Sequence, residues 1–140
     1  MKPKNDAEYL CATVDLFQTQ VILCIGDRDE CAKLIDRNKY PSYSGPKIGD
    51  GFRTAIEEAE KKCICPAIAY TFYVQPVVII YAPKPITLST LVHEISHAVD
   101  YIEDVIGCDD GETRAWLADF LFTNLAVKHE KVIVRPGDGK

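Results

Sequence analysis

Thr87-Leu-Ser-Thr-Leu-Val-His93-Glu94-Ile-Ser-His97-Ala-Val-Asp100-Tyr-Ile-Glu-Asp-Val-Ile-Gly107 is the stretch on which the reading of this chain turns. It contains His-Glu-x-x-His, and it uses two of the three histidines in the whole chain. On an α-helix, residues i and i+4 stand one above the other on a single face. His93 and His97 can therefore aim both imidazoles at one metal ion. Glu94 follows the first of them and leans to the side of such an ion, where a carboxylate can hold a water. Leu88, Leu91, Ile95, Ala98 and Ile102 fall three or four apart, and Val92, Val99 and Ile106 widen the stripe, so a buried face is expected beside the histidines. Thr87 or Ser89 is placed to cap the start and Gly107 to stop the helix. A chance match on an ordinary amphipathic helix is the bland alternative, but the helical setting that the motif requires is present.

Beyond Gly107, the acidic turn Cys108-Asp-Asp-Gly111 leads into an apolar helix over Glu112–His129. Its small residues Ala115 and Ala118 allow close packing on the histidine helix. Residues 131–140 read as a frayed tail. On the other side, Cys63–Pro83 is rich in β-branched and aromatic residues, and Pro76 makes it either a hairpin or one long edge strand. Phe52, Ala55, Ile56 and Ala59 predict a helix over Phe52–Lys62. The prolines and glycines of 38–51 predict a loop. Asp27 with Glu30 forms a capping box opening a helix to about Arg37, and Phe17–Ile25 reads as a strand. Residues 5–16, with Ala7, Leu10, Cys11 and Val14 apolar, suggest a short helix.

With 140 residues, 47% apolar and 26% charged, the chain reads as one domain over 1–140 able to bury its own core. A net charge of −5 offers no basic footprint for nucleic acid and no cationic face for anionic lipid. The polar start Met1-Lys-Pro-Lys-Asn-Asp6 carries no export signal, and no apolar run reaches membrane-span length. Without a secretion signal, the six cysteines are expected as free thiols and the location as cytoplasmic. Nothing in the sequence decides the oligomeric state.

A catalytic zinc usually takes three protein ligands and keeps one position open. The third is expected on another element. Glu112, at the start of the closing helix, is the first choice; Asp109, Asp110, Cys108 and His129 stay open as alternatives. A glutamate in a first helical turn also needs no metal, since the helix dipole favours it there. Asp100 and Asp119 are candidates to support the ligands, Asp119 by accepting a ring N–H. Tyr101, Tyr81 and His129 are candidates to steady developing charge on a substrate.

Taken together, the strand from Val77, the His93-Glu94-x-x-His97 helix and the following Glu112-x-x-Ala115-x-x-x-Asp119 resemble a minimal zincin of the gluzincin type, covering about residues 77–125. The stretch is similar to small metallopeptidase-like proteins of phages and prophages, and distantly to the repressor-cleaving peptidases of mobile elements. Residues 1–62 carry no such likeness. The resemblance implies an α+β, minimal zincin-like domain, with a small, mostly antiparallel sheet packed on the histidine helix and the helix after it. It further implies one Zn2+ per chain on His93, His97 and Glu112, with Glu94 as general base for a zinc-activated water that hydrolyses a peptide bond. The substrate would be a peptide or protein, pairing with an edge strand within 66–82, and the setting the cytoplasm of a phage-infected host. The alternative is a catalytically silent, zincin-like phage accessory or binding protein with a structural metal. Glu94 speaks against it, because a structural site needs no base.

Overall fold

The computed structural model describes residues 10–16, 19–37, 45, 47–62, 68–107, 110–128 and 133–134. They form an α+β structure with four helices and a small mixed sheet. Strands β1 (Leu10–Leu16) and β2 (Thr19–Ile25) precede helices α1 (Arg28–Arg37) and α2 (Ile48–Lys62). A hairpin, β3 (Tyr70–Val74) and β4 (Val77–Ala82), turns at Gln75-Pro76. Then come β5 (Ile86–Thr87), α3 (Leu88–Ile106), α4 (Gly111–Lys128) and β6 (Ile133–Val134).

The main sheet runs in the order β1-β2-β4-β3. Its two outer ladders are antiparallel, as expected, but the central pair is parallel, with Gln20–Ile25 aligned to Val77–Ala82. The reason lies in what covers the sheet. Strands buried on both faces read as continuous apolar runs rather than alternating ones, and Val21-Ile-Leu-Cys-Ile25 and Val77-Val-Ile-Ile-Tyr-Ala82 are such runs, buried throughout. Val21, Leu23, Ile25, Val78, Ile80 and Ala82 pack against α3 and α4. Ile22, Cys24, Val77, Ile79 and Tyr81 pack against α1 and α2. The sheet is thus the middle of three layers, where the sequence placed helices on one face only.

Four further expectations change. Leu10–Leu16 lies in a strand, not in a helix over 5–16; residues 5–9 lie outside the described residues. Its spacing fits either period, and seven-residue pairing with β2 decides the outcome. Helix α2 starts at Ile48, inside the stretch read as a loop, because the Gly49 N–H donates to Asp36 Oδ1 at 2.8 Å and anchors its first turn on α1. A Cβ at Gly49 would come within 2.9 Å of the Ala32 carbonyl, so glycine sets how closely the two helices meet. Ile133–Val134, assigned to a frayed tail, pairs in parallel with β5. Val92 is 52% exposed, because the hollow it shares with Val99, Ala118 and Phe122 between α3 and α4 is open.

Among the described residues, no helix is long and apolar enough to cross a membrane. Cys24 and Cys31 are buried and not joined in a disulfide. The side chains of Cys11, Cys63, Cys65 and Cys108 lie outside the described set.

Tyr81 carries the polar link on the α1/α2 side: its hydroxyl donates to the Gly26 carbonyl at 2.7 Å. Burial, and then the neighbouring Cys31, push its phenol above the ordinary value of 10.0. The folded chain therefore holds this proton more tightly than the unfolded one. The resulting stability is complete below pH 10 and falls as pH rises above it. Tyr81→Phe is expected to lower stability at neutral pH by about 1–3 kcal/mol, the cost of an unpaired buried acceptor, and to flatten the alkaline decline. Urea unfolding at pH 7 and pH 10.5 reads both effects; equal slopes in parent and variant would refute the second.

Candidate metal centre

Helix α3 is bounded as its sequence predicts. The Thr87 side chain accepts from the Thr90 N–H at 3.1 Å, and Gly107, at φ 72°, closes the other end by donating its N–H to the Glu103 carbonyl. That left-handed conformation is one only glycine adopts without strain. Leu91, Glu94, Ile95, Ala98, Val99 and Ile102 are buried and hold the helix against the sheet. This fixes the rotation of α3, which leaves His93 and His97 exposed on the flank beside β3.

The two imidazoles converge. Their Nε2 atoms lie 3.3 Å apart, with the rings nearly perpendicular at 82°. A tetrahedral zinc with Zn–N bonds of about 2.0–2.1 Å requires two ligand nitrogens about 3.3 Å apart. The separation of the two nitrogens equals that spacing, and it is also that of a hydrogen bond between the two rings.

Glu94 is the buried member of the motif, 6% exposed. Its carboxylate Oε1 accepts a 2.6 Å hydrogen bond from Thr71 Oγ1 on β3. Nothing in the sequence marks Thr71, because the contact depends on how the hairpin and α3 pack. The same packing opens a cleft of about 510 Å³ that brings His93, Glu94, His97, Asp100 and Tyr101 of α3 together with Ala69, Tyr70, Thr71 and Phe72 of the hairpin and Ala59 of α2. Strand β3 ends the main sheet and pairs only with β4 among the described residues, so its outer edge borders this cleft. An edge strand within 66–82 is where the sequence reading expected one.

The remaining candidates separate. Tyr101 lines the cleft and stacks on Tyr73, centroids 6.2 Å apart. Asp100 also lines it and accepts from Arg114 Nη1 at 2.7 Å; this bond, foremost, raises the guanidinium's already high pKa. Arg114 also donates to Glu103 at 2.8 Å and reaches Ser96 at 3.5 Å, tying the start of α4 to the turn of α3 that holds His97. Glu112 lies two residues before Arg114, exposed in the first turn of α4. Among the described residues, no three His, Cys, Asp or Glu side chains are gathered as a metal-holding group, so Glu112 is not joined to the histidine pair in this structure. Asp110 caps α4, accepting from the Thr113 N–H at 3.2 Å. Asp119 is exposed on α4; Cys108, Asp109 and His129 lie outside the described residues.

No protein-family model matches this chain, and no curated protein or solved structure is significantly similar to it.

Proposed function

We propose that this chain is a zinc-dependent peptidase built on a minimal zincin-like domain. The observation that carries the reading is the 3.3 Å separation of His93 Nε2 and His97 Nε2, the spacing that two ligands of one tetrahedral zinc require. His93 and His97 would hold the ion, with Glu112 as the third ligand. The reach of Arg114 to Ser96 and Asp100, which flank His97, supports that choice by bringing the first turn of α4 alongside. When bound, zinc supplies Lewis acidity, polarising an amide carbonyl and lowering the pKa of water.

The chain's own groups supply the rest. Glu94 takes a proton from the attacking water and returns it to the leaving amine nitrogen. The outer edge of β3 receives the substrate as an added strand, so main-chain hydrogen bonds hold the peptide extended beside α3. Tyr101 and Asp100 form the wall of the cleft beyond His97.

The deciding measurement is metal content by mass spectrometry, on the parent and on His93→Ala purified alongside it. About one zinc per parent chain and none in the variant is the expected result. Added zinc should also raise the parent's melting temperature, since a ligand bound only by the folded state stabilises it by about 2.7 kcal/mol at a hundredfold excess over Kd. A parent that takes up no zinc after reconstitution would overturn the proposal.

A further inference from the structure

We infer that Thr71 is a positioning residue for the general base, fixing Glu94 to the same strand that receives the substrate; this rests on the peptidase reading above. Glu94 as a residue is 6% exposed and lines the cleft, and an ionised carboxylate can only accept hydrogen bonds. Thr71 has a single hydroxyl proton and two acceptors within reach, Glu94 Oε1 at 2.6 Å and the Glu94 carbonyl at 3.3 Å. The shorter contact is in the range of a charge-assisted bond, so the proton goes to the carboxylate. That engages Oε1 and leaves Oε2 as the oxygen able to take a proton from water.

The donor is itself held rigidly. Threonine is stiff at χ1 because it branches at Cβ. Its strand partner is Ile80, in the middle of β4, whose six residues are all buried. Tyr70, Phe72 and Val74 pack on the α2 side of the sheet, which leaves Thr71 directed at α3. A base needs its proton-accepting oxygen placed to within a fraction of an ångström of the productive position, and side chains locked by their surroundings provide that. Because the donor stands on β3, a peptide paired to the β3 edge and the base that serves it share one frame.

The test compares Thr71→Val, which keeps the shape and removes the hydroxyl, with Thr71→Ser, which keeps the hydroxyl. Each full-length variant is melted without metal, titrated with zinc, and assayed after zinc loading on the peptide best cleaved by the parent from a randomised peptide library. In the metal-free chain, Thr71→Val should lower the melting temperature, and should do so less when Glu94→Gln is also present, because a neutral amide loses less with its donor. Zinc affinity should match the parent in both variants. Thr71→Val should lose about 10–100-fold in kcat with KM unchanged, and Thr71→Ser should recover most of it. A Thr71→Val variant as active as the parent, or two variants equally impaired, overturns the positioning role while the peptidase reading stands. A zinc-loaded parent that cleaves no peptide of the library overturns both.

Discussion

Glu94→Gln is expected to lower turnover by about 10²–10⁴-fold, the usual contribution of a positioned general base, while leaving zinc content at the parent's level. Glutamine has the same shape, and its carbonyl oxygen can still accept from Thr71, so the contact at 2.6 Å in the parent has a counterpart in the variant. What it lacks is a carboxylate oxygen to receive the proton of the attacking water. The metal-free variant should be no less stable than the parent, because the side chain keeps its shape and its acceptor for Thr71 in a buried position. Peptide hydrolysis, zinc content and thermal unfolding together check this. Full activity in the variant would remove Glu94 from the mechanism. Equal inertness of zinc-loaded parent and variant would favour the accessory binding protein with a structural metal.

The largest stability effect should come from the α1/α2 face of the sheet. Phe52→Ala is expected to cost about 3–5 kcal/mol, as for other buried aromatic truncations, out of a total that for such domains is about 5–15 kcal/mol. Phe52 is fully buried on α2 and meets Tyr81 edge-on, ring centroids 5.2 Å apart. Ile22, Ile35 and Ile79 belong to the same cluster. The truncation leaves a cavity between α2 and the sheet, and the backbone of the central strands cannot move in to fill it. Urea midpoints measure the loss. A cost under 1 kcal/mol would mean that α2 does not seal that face of the sheet. The fraction still folded should retain zinc binding, since His93 and His97 lie across the sheet from the cavity.

How far the sequence could be read depended on whether each feature is local. Helix α3 was legible almost to the residue, because Thr87, the apolar spacing and Gly107 each act within one or two turns. The strand β1 was not: Leu10–Leu16 satisfies two periods, and its partner in β2 settles the matter. The parallel alignment of β2 and β4 was hidden for a related reason. A continuous apolar run says that both faces are covered without saying by what, and α1 and α2 proved to be the second cover. At the site, the convergence of His93 and His97 followed from i, i+4 geometry. Thr71 did not, since it lies 23 positions from Glu94 and is brought there only by packing. Glu112 was chosen by its place at the head of the next helix, and the structure puts it there, exposed, without gathering it to the histidines.

The edge position of β3 has a consequence for solubility. Among the described residues β3 is paired on one side only, and a strand edge left open is a template for any extended chain, a second copy of the protein included. Tyr70-Thr-Phe-Tyr-Val74 carries no charge to repel a like strand, and Tyr73 is exposed upon it. Under the proposed function, an edge that receives a peptide cannot also be blocked with the lysines that protect other edges. The limits left to it are brevity, five residues, and Pro76, which lacks the N–H needed to extend the ladder. At high concentration, self-association through β3 would then compete with a peptide substrate for the same hydrogen bonds.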